Sequence, residues 1–260
     1  MKPSRIRQDA ERPFRLELQG AGAAEHDALI RVFVPDELRG HERDRALEHM
    51  AAHGTVADVR VCGPRVPGGA GVRVDPANPD SGFRELLRSY PRFRLALART
   101  FPPFRELLAH DLIQAVAARN AALAAISALP EVIPNPLSLL LALGEMGSDS
   151  VLLTANQVVL AFELAALRGQ EVGWRAQSGQ IGAILVGALG WRALARELVG
   201  LIPAGYGLAA KSGIAYSGTL AVGTALWHYH ARARAGVKFP RSRPALASVK
   251  PHRQTERSPR

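Results

Sequence analysis

The side chains able to do chemistry are scattered along this chain, so the first question is whether any of them recur at spacings that a reaction requires. Asp149, Asn156 and Glu163 recur every seven residues in an otherwise apolar stretch. That interval drifts by only about 20° per heptad on a helix, so the three lie along one stripe. A carboxylate on a buried stripe needs a cation, because an unpaired buried charge costs several kcal/mol. Arg192 and Arg196, one helical turn apart beside Glu197, and Lys211 are the cations to supply it. A structural ion-pair network is the simplest use of such a stripe, and a proton or ion path the more specialised one. Asn156, Gln157, Arg192, Lys211 and Tyr216 have the polar types of an active site, yet they offer no nucleophile and base pair. No catalytic residue is assigned.

Other motifs fail on inspection. Gly205 to Ser212 comes within one residue of a phosphate-cradling loop, but Ala210 stands where the glycine before the lysine lets backbone wrap a phosphate. His41, Glu42, His49 and His53 include a pair one turn apart, His49 and His53, without a third ligand fixed by spacing. They read as surface helix residues. His228 and His230 flank Tyr229 on opposite sides of a helix, so they mark an interface edge better than a shared metal. Neither a G-x-S-x-G elbow nor an H-E-x-x-H pair occurs. The single cysteine, Cys62, excludes an intramolecular disulfide and a cysteine cage for metal. No cofactor or metal is expected.

The formal charge of +10 is unevenly placed. Residues 232–260 hold nine Lys and Arg against Glu256 alone, together with Pro240, Pro244, Pro251 and Pro259. This composition predicts a disordered basic tail, because it buries too little apolar surface to offset its ordering entropy. Phe239 is its one aromatic residue, so base stacking is missing and no specific nucleic acid is expected. Attraction to anionic lipid suits it better. The first residues are charged and lack the apolar stretch of an export signal, which predicts a cytoplasmic start.

The remaining 231 residues divide by texture. Residues 1–13 read as a flexible lead-in, and 14–80 as a small α/β layer with half-buried strands at RLELQ, ALIRVFV, TVADVRVCG and GVRVD. HERDRALEHMAAHG reads as a helix between them, and the break near 75–82 as the boundary. From 83 to 231 the pattern is helical, with helices over 82–89, 91–100 and 103–129, a helix closed by Gly169, and two more over 173–201 and 204–231. Of the charge-free windows, only Ser212–Ala231, with 20 residues, reaches the length of about 20 that a membrane span needs. On that last helix Gly205, Ala209, Gly213, Ser217, Ala221 and Ala225 make a ridge of small side chains. It allows close helix packing, either within the chain or against a second copy.

Several of these segments carry a resemblance. Asp149 followed by Leu153-Thr-Ala-Asn156-Gln157, Trp191-Arg192-Ala-Leu-Ala-Arg196-Glu-Leu-Val, Pro203, and Lys211-Ser-Gly213-Ile-Ala-Tyr216-Ser-Gly218-Thr219-Leu-Ala-Val-Gly223 look like domain of unknown function 697. Pro103-Phe-Arg105 and Arg119-Asn120-Ala121 add to the match, which covers roughly residues 95–231. That family includes bacterial YcjF-like inner-membrane proteins and segments fused to Era-like small GTPases. The resemblance implies a membrane setting and a GTPase neighbour on a separate polypeptide, since the N-terminal layer is too short for a G domain.

The combined expectation is a mainly α protein, a helical hairpin bundle with a small N-terminal α/β layer and a basic tail. It is read as a scaffold without catalytic activity, associated with the cytoplasmic membrane through a transmembrane helix and the tail. The alternative is a soluble, cytoplasmic partner or regulator of an Era-like small GTPase.

Overall fold

The computed structural model describes residues 2–52, 54–132, 136–187 and 207–234, and within them the side-chain surroundings of all but 127–150, 207, 208, 233 and 234. Residues 232–234 of the expected tail belong to the last helix; the rest of that tail and the residues Arg192 and Arg196 lie outside the described residues. The architecture is mainly helical, with a small parallel sheet near the N-terminus.

The chain opens with α1 (Pro3–Ala10), not with a flexible lead-in. Proline in the first turn loses no helical hydrogen bond, and Ile6 and Ala10, one turn apart, are both buried where α1 packs on later helices. The sheet order is β2-β1-β3-β4, formed by β1 (Leu16–Gln19), β2 (Met50–Ala51), β3 (Val59–Cys62) and β4 (Val72–Arg73), all parallel. β1 and β3 pair from Leu16 opposite Val59 to Gln19 opposite Cys62. Their largely buried residues fit a parallel sheet covered on both faces.

Between β1 and β2 run α2 (Ala23–Phe33) and α3 (His41–Glu48). The ALIRVFV run, expected as a strand, belongs to α2. Its alternation is incidental: Leu29 and Phe33, four residues apart, are the pair that is fully buried, and that is helical spacing. The other three strand expectations hold, at shorter lengths.

The helical part comprises α4 (Pro79–Ser89), α5 (Arg94–Thr100), α6 (Pro103–Val132), α7 (Pro136–Leu167), α8 (178–187) and α9 (Gly207–Arg234). Prolines open α4, α6 and α7, as their fixed φ and missing N–H favour. α7 ends where Gly169 takes φ +71° and the Gln170 amide donates to the Ala165 carbonyl, an end that favours glycine. At 30 residues α6 is about 45 Å long, and it packs chiefly against α9 and then α7.

One continuous apolar core joins the sheet layer to the helices. Phe33 of α2 meets Phe83 of α4 edge-on at 5.2 Å and Phe101 at 5.6 Å, and it also touches Phe104 of α6. These edge-to-face contacts follow the ring quadrupole.

The transmembrane expectation is corrected. Among the described residues no helix is long and apolar enough to cross a membrane. The Ser212–Ala231 window lies inside α9, where Tyr216, Thr219 and His230 direct polar groups to partners within the protein. The charge-free window thus carries hydroxyls and an imidazole that serve contacts within the protein.

Phe33→Ala is expected to cost about 3–5 kcal/mol. All three tryptophans (Trp174, Trp191, Trp227) lie after residue 173, so the shared core should carry this loss to the unfolding midpoint read by their fluorescence. A fluorescence midpoint that stays in place would mean that the sheet layer melts by itself.

Candidate functional site

The residues singled out by their spacing do converge in part, at the contact of α6, α7 and α9. Asn120 of α6 is fully buried, and its amide donates to the Thr219 hydroxyl of α9 at 2.9 Å. Its carbonyl oxygen accepts from the Asn156 amide of α7 at 2.8 Å. Gln157 donates to the same hydroxyl at 3.4 Å, and Thr219 in turn donates to the Ala215 carbonyl at 2.8 Å. Farther along, the Tyr216 hydroxyl donates to the Gln114 side chain of α6. These polar groups are thus engaged with one another. Gly218 is buried in the same region, and Gly223 leaves room that Ile113 fills, since a Cβ there would lie 2.8 Å from its methyl carbon.

Glu163, the third member of the heptad stripe, is buried on α7. Burial raises its carboxyl above the ordinary carboxylate range, while Arg94 and Arg119 oppose that shift. Among the described residues, Arg94 of α5 and Arg119 of α6 thus act on it, while Arg192 and Arg196 lie outside the described residues. Lys211 is half-buried near the start of α9, and the Asp149 side chain lies outside the described surroundings. The near-miss phosphate loop fares no better as a site, because Ala210, Lys211 and Ser212 sit inside α9.

At the far end of α9, His230 is fully buried, whereas exposed His228 and Tyr229 face out. The His230 Nδ1 donates to the Gln170 side-chain oxygen, and its Nε2 has no partner. Burial, with Arg168 nearby, lowers its pKa to about 4, so the ring is neutral. Arg168 lies 3.8 Å over the Trp227 ring, a cation–π contact that holds this end of α9 against the turn after α7.

Two residues that spacing did not reveal hold the sheet layer. Arg105 of α6 is buried and donates to the Ala98 carbonyl at 3.2 Å, the Arg99 carbonyl at 3.0 Å and the Glu42 carboxylate at 3.2 Å. It therefore caps α5 and ties α3 to α6, with its pKa lowered to about 10 by burial and then by Arg45 and Arg99. Glu25 of α2 occupies the crevice beyond the ends of β1 and β3, the place where the order of a parallel sheet reverses and ligands commonly sit. Its carboxylate accepts from the Ala21 amide at 2.6 Å and the Arg65 amide at 3.2 Å. A Cβ on Gly63 would come within 2.6 Å of it. The signal for this arrangement is Gly20-Ala-Gly22-Ala-Ala-Glu25 directly after a strand and opening a helix.

Among the described residues no group of three or more side chains is placed to hold a metal. His41 bonds Arg45, Glu42 bonds Arg105, and His49 stacks on Phe14 at 4.4 Å while its Nδ1 donates to the Phe14 carbonyl. No protein-family model, curated protein or solved structure matches the chain.

Asn120→Ala is expected to cost about 2–3 kcal/mol, because it strands the Asn156 amide. Combined with Thr219→Val it should cost less than the separate losses added together, by about 0.5–1 kcal/mol; denaturant midpoints of the four proteins check this coupling.

The two shifted groups give opposite pH trends. Neutral His230 contributes stability that is full above its ordinary pKa of 6.5 and is lost as the pH falls toward about 4. Glu163, with a raised pKa, contributes stability that is complete below the ordinary carboxylate range and is lost as the pH rises through its folded-state value. Thermal melts should show a shallower acid-side loss in His230→Asn, and a Glu163→Gln protein that gains on the wild type as the pH rises to neutrality. Parallel melting profiles in all three proteins would contradict both assignments.

Proposed function

We propose that the protein is a non-catalytic helical interaction module. Its helices are joined internally by hydrogen-bonded side chains, and α9 offers one uncharged face to another helix. The observation that carries this reading is the exposed side of α9. From Ala209 to Ala225 its exposed residues are Ala209, Gly213, Ser217, Ala221, Thr224 and Ala225, whereas a helix face meant only for water normally shows charged residues. Among the described residues, the small-residue ridge from Ala209 to Ala225 is thus exposed. A Cβ at Gly213 would have nothing within 4 Å, and the Ser217 hydroxyl donates to the Gly213 carbonyl at 2.8 Å, so its polar demand is met by its own helix. Such a face lets a second backbone approach closely. A second copy of the chain is the partner assigned to it.

The basic residues after 231 suit attachment to anionic lipid at the cytoplasmic membrane surface, each contributing at most about 1 kcal/mol. This attachment is peripheral and invokes no crossing helix. A second reading, a soluble regulator of a separate Era-like small GTPase, is supported by the motif resemblance, whose residues Asn120, Asn156, Gln157 and Thr219 share one network.

Sedimentation velocity over a concentration series is expected to show self-association in the wild type and a monomer in the double variant Gly213→Leu, Ala221→Leu. A wild type that stays monomeric throughout would remove the second copy as the occupant of this face. Capture of a GTPase whose hydrolysis rate responds to the protein would then favour the regulator.

A further inference from the structure

The C-terminal ends of α1, α3 and α5 converge on a cleft of about 270 Å³ lined by Glu11, Arg12, Arg45, His49, Arg99 and Thr100. Helix C-termini attract cations, but Arg105 already serves the end of α5 by binding the Ala98 and Arg99 carbonyls. Carboxylates account for part of the remaining charge: Arg12 pairs with Asp9, Arg99 with Glu11 at 3.3 Å, and Arg105 with Glu42 at 3.2 Å. Arg45 instead bonds the Nε2 of His41 at 2.8 Å.

Among the residues lining the cleft, three cations, Arg12, Arg45 and Arg99, face one carboxylate, Glu11. Burial, together with repulsion from Arg45, lowers the pKa of both Arg99 and Arg105.

We infer that this cleft is a binding site for an anion of the phosphate class. A phosphate group brings several acceptor oxygens and up to two charges, enough to engage the Arg45 fork and offset the excess of lining guanidiniums over Glu11; a carboxylate has one charge and only two oxygens. Glu11 is the internal rival for Arg99, so it sets the affinity. This site is separate from the α9 face and does not depend on the reading given for it.

The test is calorimetric titration of the full chain with inorganic phosphate and pyrophosphate in chloride buffer, alongside co-sedimentation with phosphatidylcholine vesicles with and without phosphatidic acid. Arg45→Gln is expected to weaken binding about tenfold, the loss of a charge-assisted contact. Glu11→Gln should tighten it several-fold, and Arg84→Gln, which breaks an exposed pair with Asp111 elsewhere, should leave it unchanged. Binding of the free anions that follows this pattern identifies a soluble phosphate ligand, and the same pattern on vesicles alone identifies a lipid headgroup. No saturable binding in either arm, or binding that neither Arg45→Gln nor Glu11→Gln alters, overturns the site.

Discussion

Asn120 sets the terms on which the three long helices pack. Helices that touch only through Leu, Ala and Val can slide or rotate against one another at little cost, since such contacts are non-directional. A buried carboxamide removes that freedom. Its donor must reach Thr219 while its acceptor receives Asn156, and sliding either neighbour by one turn, about 5.4 Å, would break the pair. Gly223 of α9 obeys the same register, because a side chain there would collide with Ile113. A fully satisfied polar network of this kind selects one arrangement of a core.

The same demand for satisfied polar groups joins the sheet layer to the helices. Arg105 reaches back from the first turns of α6 to the end of α5 and across to α3, so the layer and the bundle share a charged tie as well as an aromatic core. Within the layer, Glu25 closes the crevice with its own carboxylate. A parallel sheet of this order would ordinarily offer that place to a ligand; here it is taken by the protein.

What could be read from the amino acids follows the range of the forces involved. Local ones are legible: the proline that starts α6, the glycine that ends α7 and the strands at β1, β3 and β4 are all expected within a few residues, whereas Pro79, read as part of a break, opens α4. The ALIRVFV run misled because its β-branched residues alternate while its buried pair lies one helical turn apart. Asn156 and Gln157 stood out as polar residues in apolar surroundings, but their partners lie 36 and 62 positions away, and spacing along a helix carries no information about those. For the same reason the action of Arg94 and Arg119 on Glu163 could not be read from spacing. The outward direction of the small-residue ridge was equally out of reach, since a run of Ala, Gly and Ser reads alike whether it faces a neighbour or solvent.

The docking of α1 has a consequence for how the chain is made. Its buried face rests on α5 and α7, and α7 ends only at Leu167, more than 150 positions after α1. At a synthesis rate of about 5–20 residues per second, the first helix leaves the ribosome roughly 8–30 s before its seat is complete. During that interval Ile6 and Ala10, buried in the finished fold, lack the surface that covers them. Fusions placed ahead of residue 3 would therefore act on the last stage of assembly, even though they are the first part translated.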